Sequence, residues 1–171
     1  MTDDFAAYID GLPKILAGAA MLCRDTEGRI LLVKPPWGED GTWALPGGTV
    51  ESDQDETPRE AARREVAEEL GLDITPGALL AIDWVTGAGW PPLVTYLYDG
   101  GILDEGKLAT VRLEPKLEAW QLVNIAETGS LLANFLRRRI RAGLVVLTAD
   151  TGPAELENGY RVGYLRRHDQ P

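Results

Sequence analysis

GGTVESDQDETPREAARREVAEELGL, residues 47–72, is the stretch whose reading decides the fold. Its second half is dense with carboxylates at helical spacing. Thr57-Pro58-Arg59-Glu60 is a capping box with proline at the first helical position. Gly71 supplies the stop. These signals predict a helix over 57–70. At about 100° per residue, Glu65, Glu68 and Glu69 share one face, with Ala61 among them and Ala62 beside them. No bulky side chain screens these acids. Ala62, Val66 and Leu70 form a narrow apolar stripe, and Glu60, Arg63 and Arg64 take the remaining side. Two readings fit this pattern. One is a solvated surface with i, i+4 pairs such as Glu60–Arg64 and Arg64–Glu68. The other is a cation site. Like charges about 4 Å apart repel by about 4 kcal/mol at an effective dielectric near 20, so the cluster favours water or a metal ion. Oxygen ligands with no nearby His or Cys favour Mg²⁺ or Mn²⁺ over zinc.

The rest of the chain bounds the chemistry. Its 171 residues fit one domain, 1–171, and 44% hydrophobic content is enough for a core. The net charge is −10, and segment 51–73 holds nine acids against three arginines. Such a chain is a poor nonspecific nucleic-acid binder, because phosphate contacts need Lys and Arg. To handle phosphates, it needs a cation between. Cys23 is the only cysteine, which excludes an intrachain disulfide. His168 is the only histidine and lies four residues from the end, so any general base is a carboxylate, Lys or Tyr. The opening MTDDFAAYID has no signal-peptide pattern, and ILAGAAMLC at 15–23 is too short to span a bilayer. The expectation is a cytoplasmic protein.

Along the chain, 3–10 reads as a short helix. Residues 15–24 and 29–34 read as neighbouring strands around the turn RDTEG, and KPPWGEDG at 34–41 as a loop. Strands are expected at 78–86, 93–99, 108–113 and 117–123. A helix is expected near 129–142, closed by Gly143, with an apolar stripe of Leu131, Leu132, Phe135, Leu136 and Ile140 and with Arg137, Arg138 and Arg141 outside; the arginine-rich stripe at 137–141 is expected to be a solvent or dimer face. LVVLT at 144–148 and GYRVGYL at 159–165 read as late strands. The pattern implies a mixed α/β sandwich.

From Glu56 onward the stretch resembles the signature box of the Nudix (MutT-type) hydrolases. It has Glu56, seven residues (TPREAAR), then Arg64-Glu65-Val66-Ala67-Glu68-Glu69-Leu70-Gly71-Leu72. WALPGGTVE at 43–51 also resembles the lead-in. One departure stands between them: seven residues, TVESDQD, separate Gly48 from Glu56 where the family pattern has five. The two extra residues fall in the loop before the helix cap, where added length costs a fraction of a kcal/mol, and the helix-borne spacing is untouched.

The resemblance implies an α/β/α sandwich with a mixed β-sheet and hydrolysis of a nucleoside diphosphate linked to another moiety. It implies metal binding by Glu65, Glu68, Glu69 and the Gly47 carbonyl. Arg64 and Glu56 would brace the helix and loop, and the base would come from a box glutamate or a later carboxylate, Glu114 or Glu118. Trp37 and Trp90, in Pro/Gly loops, are the leading aromatic candidates for stacking on a base, and Glu51, whose place depends on the path of the longer loop, is a third substrate-binding candidate. Lys34 and Arg24 could meet phosphates, but they read first as solvated surface residues. Cys23 reads as a small core residue, poorly placed for an isomerase on this scaffold. The alternative is a Nudix-fold protein that binds a nucleotide or ADP-ribose derivative without cutting it. A homodimer is a family expectation.

Overall fold

The structure is a computed structural model that describes residues 3–36, 42–87 and 91–163. Its elements are α1 (Asp3–Asp10), β1 (Leu16–Asp25), β2 (Ile30–Lys34), β3 (Gly47–Thr49), α2 (Pro58–Leu70), β4 (Leu79–Val85), β5 (Leu93–Leu103), α3 (Glu105–Leu108), β6 (Ala119–Val123), α4 (Asn134–Ala149), β7 (Ala154–Glu157) and β8 (Tyr160–Arg161). The strands form one mixed sheet in the order β6-β2-β1-β5-β4-β7-β8, with β3 paired to β1. The β1–β5 and β4–β7 pairs are parallel; the β1–β2, β1–β3, β2–β6 and β4–β5 pairs are antiparallel.

Side-chain alternation along the strands builds a core on each face. Ala19, Met21 and Cys23 of β1, with Leu31 and Val33 of β2, pack against Ala61, Ala62, Val66 and Leu70 of α2. Leu22 of β1, Ile30 and Leu32 of β2 and Leu97 of β5 pack with Ile140, Ala142 and Val146 of α4. Helices on opposite faces of a mixed sheet make the expected α/β/α sandwich. Among the described residues no helix is long and apolar enough to cross a membrane.

Three expectations are overturned, each for a physical reason. First, LVVLT at 144–148 is not a strand, and Gly143 does not end the helix: α4 runs to Ala149. A Cβ at Gly143 would lie 3.0 Å from Leu97 Cδ2 and 3.5 Å from Leu80 Cβ. This glycine lets the helix approach the sheet. Second, residues 108–113 are not a strand. The Arg112 N–H donates to the Leu70 carbonyl at 2.8 Å and the Glu114 N–H to the Glu69 carbonyl at 2.9 Å. This segment satisfies carbonyls that the end of α2 leaves without helical partners. Third, the 137–141 stripe is not wholly outward. Arg139 is 5% exposed and pairs with Asp83, itself 0% exposed, at 2.8 Å. The late strand expected at 159–165 is only Tyr160–Arg161 within the described residues, and β7, with its alternating AELE burial, was not expected.

Asp83 joins three elements. Its Oδ2 accepts from Arg139 Nε of α4, and its Oδ1 accepts from the Gly159 N–H of the β7–β8 turn at 3.0 Å. Removing one partner of a buried pair strands the other charge and costs about 3–5 kcal/mol. Asp83→Ala should lower stability by about that amount in denaturant unfolding, whereas Asp53→Ala, on the exposed loop before α2, should change it little.

Candidate functional site

The acidic face of α2 meets β3, whose first two residues, Gly47 and Gly48, have no side chains. Thr57 caps the helix as expected: its hydroxyl accepts from the Glu60 N–H, and the Glu60 carboxylate accepts from the Thr57 N–H at 2.9 Å. Gly71 closes it in the left-handed conformation, φ +66°. The box glutamates therefore start from a fixed helix and project toward β3.

Gly47 pairs with Ala20, and its N–H donates to Glu69 Oε2 at 2.9 Å. It adopts φ +150°, and a Cβ there would collide with the Ala19 carbonyl and stand 2.6 Å from Ala20 Cα. At Gly48 a Cβ would run into the Glu65 carboxylate. The two glycines are thus required for different reasons, one by backbone packing and one by a side chain.

Arg64 organises the acids. Its Nε donates to Glu56 Oε1 at 2.7 Å and its Nη2 to Glu56 Oε2 at 3.1 Å. Its Nη1 reaches Glu65 Oε1 at 3.0 Å and Glu68 Oε2 at 3.3 Å, and Nη2 also donates to the Thr49 carbonyl at 3.0 Å. The bracing expected of Arg64 and Glu56 is present. Glu56 also closes the lengthened loop: its Oε2 accepts from the Glu51 N–H at 2.8 Å. Between them Ser52–Gln54 make a short 3-10 turn, and Asp55 takes the left-handed conformation at φ +58°. The extra length is absorbed there, and the strand and helix on either side keep their contacts.

The electrostatics are uneven. Burial pushes Glu69 up to about 8, against the Gly47 hydrogen bond and with help from Glu65, Glu114 and Glu68. Burial also raises Glu65, with Arg64 opposing it. Glu68 is the exposed member. The Arg64 bond holds Glu56 below the usual carboxylate range. Among the described residues no three His, Cys, Asp or Glu side chains form a ready-made cation cage. The carboxylates are turned toward Arg64 and the Gly47 N–H. The donor chemistry suits a hard divalent cation: Glu65, Glu68 and Glu69 all offer oxygen and lie on one helix.

The remaining expected residues are dispersed. Glu114 lies near enough for its charge to raise Glu69, and it pairs with Lys116 at 3.0 Å. Glu118 is exposed and held by Lys34 at 2.6 Å. Arg24 is bound to Asp99 at 3.0 Å. The Glu51 side chain is exposed at the start of the loop. Trp37 and Trp90 lie outside the described residues. Sequence reasoning missed Lys116, which feels the charges of Glu114, Glu68 and Glu65. Two residues after a candidate base, it carried no helical or motif signal.

The class is that of an open mixed sheet with an acidic, arginine-braced helix on one face and a second helix on the other. The NUDIX domain family matches residues 14–143, and the chain belongs to that family. It is 45% identical over 65 residues to the CTP pyrophosphohydrolase of Escherichia coli, covering 37% of this chain and 45% of that protein. It is 35% identical over 69 residues to the 8-oxo-dGTP diphosphatase of Proteus vulgaris, covering 39% of this chain and 59% of that protein. The chain thus spans about half the length of these curated relatives. The crystal structure of a MutT NUDIX hydrolase from Burkholderia pseudomallei superposes with TM-score 0.63 at 26% identity, covering 75% of this chain and 98% of that one.

Two pH-dependent outcomes follow with opposite signs. Glu69 is raised, so the folded state holds a proton that the unfolded chain releases near pH ~4.3. Its contribution to stability is present at low pH and is lost as pH rises toward about 8. Glu69→Gln should therefore raise the unfolding midpoint of metal-free protein at pH 8, by about 2–4 °C per kcal/mol relieved, and change it little at pH 4. Glu56 is lowered, so its contribution is present above the unfolded value and is lost as pH falls through its folded value. In denaturant titrations the stability gap between the native chain and Glu56→Gln should be constant above pH ~5 and close below pH ~4.

Proposed function

We propose that this chain hydrolyses a nucleoside diphosphate linked to another moiety, cutting within the diphosphate, with Mg²⁺ or Mn²⁺ as cofactor. The observation that carries this reading is the arrangement of Glu65, Glu68 and Glu69 on one helix face, braced by Arg64 and laid against Gly47 and Gly48. The names of the relatives, a CTP pyrophosphohydrolase and an 8-oxo-dGTP diphosphatase, support a nucleotide substrate.

Glu65, Glu68 and Glu69, with the Gly47 carbonyl, would hold the cation. When bound, it supplies charge neutralisation on the diphosphate and acidifies an attacking water. The protein's own groups do the rest. Arg64 fixes Glu65 and Glu68 in angle and anchors the loop through Glu56 and the Thr49 carbonyl. The Gly47 N–H orients Glu69. Of the two later carboxylates, each paired with a lysine, Glu114 with Lys116 and Glu118 with Lys34, Glu114 is the one in the field of Glu69 and is the first candidate to accept a proton. Glu51 lies on the loop facing a bound substrate, and Trp37 and Trp90 are the aromatic candidates for the base. A cytoplasmic setting and a homodimer belong to the same reading.

The test is turnover of a panel of nucleoside triphosphates, nucleotide sugars, ADP-ribose and dinucleoside polyphosphates, with and without Mg²⁺, scored for nucleoside monophosphate, phosphate and pyrophosphate. Glu68→Gln, at the exposed ligand, should lower kcat by about 10²-fold or more with the fold intact. Tight binding of one compound with no cleavage at any metal concentration would replace this reading with a nucleotide-binding role.

A further inference from the structure

Phe5, Tyr8, Ile9 and Leu12 follow the i, i+3, i+4, i+7 spacing that makes one apolar face of a helix. In a globular chain such a face normally packs on the core. Among the described residues this one is left uncovered. Phe5 is 51% exposed and Tyr8 61%, Ile9 and Leu12 are exposed too, and neither core takes in a residue before Ala17. The contacts of α1 are local: the Phe5 and Tyr8 rings lie 6.2 Å apart, and Lys14 Nζ donates to the Ile9 carbonyl at 2.8 Å. A helix of eight residues without tertiary packing is marginal in water. α1 therefore calls for a surface to lie on.

Charge indicates which surface. The sequence of α1, DDFAAYID, holds three aspartates and no Lys or Arg. The sequence of α4 holds four arginines and no acid. Arg139 is engaged by Asp83, but Arg137, Arg138 and Arg141 pair with no carboxylate among the described residues. Arg137 donates to Asn134 Oδ1, and Arg138 donates to the Asn158 carbonyl and lies over the Tyr160 ring, 3.9 Å from its centroid. Arg137, Arg141 and Val145 recur every four residues and form one stripe. Val145, 50% exposed, and Tyr160, 62% exposed, add apolar surface beside the arginines. In a chain of net charge −10, most of the surface repels a second copy, whereas this face attracts an acidic, aromatic helix.

The two surfaces lie at one end of the molecule. β1 and β5 start side by side, with Leu16 opposite Leu93, and five residues link α1 to β1. On the α4 side of the sheet, Gly18 and Leu93 line a cavity of about 290 Å³ together with Phe135 and Arg139. The first half of α4 thus borders the strand starts from which α1 departs. We propose that two copies of this chain pair by exchanging α1: each α1 lies along the Arg137–Arg141–Val145 stripe of its partner. Asp4 and Asp10 meet the arginines, while Phe5, Tyr8 and Ile9 are covered by Val145, Tyr160 and the arginine stems. A twofold axis makes the exchange reciprocal and closes the assembly at two copies. The proposal rests on the homodimer named above and gives it an interface; it uses nothing of the metal site.

The test is the mass of the full chain by sedimentation equilibrium across concentration and ionic strength. A monomer–dimer equilibrium that weakens as salt rises is expected. Asp4→Lys with Asp10→Lys should raise the dimer dissociation constant about tenfold or more, and Arg137→Glu with Arg141→Glu should do the same. Mixing these two variants should recover the native constant, because each heterodimer again sets acid against base on both sides. Tyr8→Ser should loosen the dimer by a similar factor at any salt concentration. If the α4 variant does not fold, the α1 variants decide, since their side chains touch no core residue. A chain that stays monomeric overturns the interface and the homodimer together. A dimer that withstands the charge reversals or Tyr8→Ser overturns the interface alone. Loss in both charge variants without recovery on mixing overturns the pairing of α1 with α4. The substrate panel tests hydrolysis independently of all these results.

Discussion

The site depends on a single cation. Arg64 contacts Glu56, Glu65, Glu68 and the Thr49 carbonyl. It therefore ties the middle of α2 to the loop before the helix and to the end of β3. Without it, Glu56, Glu65 and Glu68 would lose the one cation they share. Its own proton is held far more tightly than usual, first by the Glu56 bond. Glu69 lies outside this arrangement. It has only a backbone N–H, and burial raises it furthest among the box acids. The compensation is uneven in a useful way: the acids that share Arg64 are held in place, and the one that does not carries the largest unmet demand for positive charge.

The two helices divide the labour across the sheet. The α2 face gathers carboxylates at its open end, while the α4 face holds a cavity with one buried guanidinium. Between them runs β3, only Gly47–Thr49. Its two glycines touch the acidic face on one side and line the cavity on the other.

Much of this was legible in the sequence where the signal is local. The capping box at Thr57, the stop at Gly71 and the i, i+3, i+4 glutamates each rest on spacing within one helix, and all hold. The β1–β2 hairpin and the central strands were readable from apolar runs bounded by turn residues. The failures came where a residue's meaning depends on a distant partner. Gly143 reads as a helix stop in sequence, but Leu97, Leu80 and Leu22 make it a point of close packing. Arg139 reads as one of several surface arginines, and only Asp83, 56 positions away, marks it as buried. Residues 108–113 have strand composition, yet the Thr110 and Val111 N–H groups go to the nearby Lys107 and Leu108 carbonyls and the Arg112 N–H to the Leu70 carbonyl at the end of α2. Lys116 had no sequence signal at all.

The loop between β3 and α2 carries a wider consequence. The Glu51 N–H and the Glu56 carboxylate close it at its base, and Glu56 is also the anchor for Arg64. Whatever lies between those two residues hangs outside the closure, as the 3-10 turn at Ser52–Gln54 does. The closure forms here with seven residues between Gly48 and Glu56, so the loop's geometry does not demand the five of the family signature. A search for relatives of this protein should let that gap float while keeping Glu56 and everything after it rigid. An engineer seeking a place to graft a peptide near the acidic face of α2 could choose the same turn.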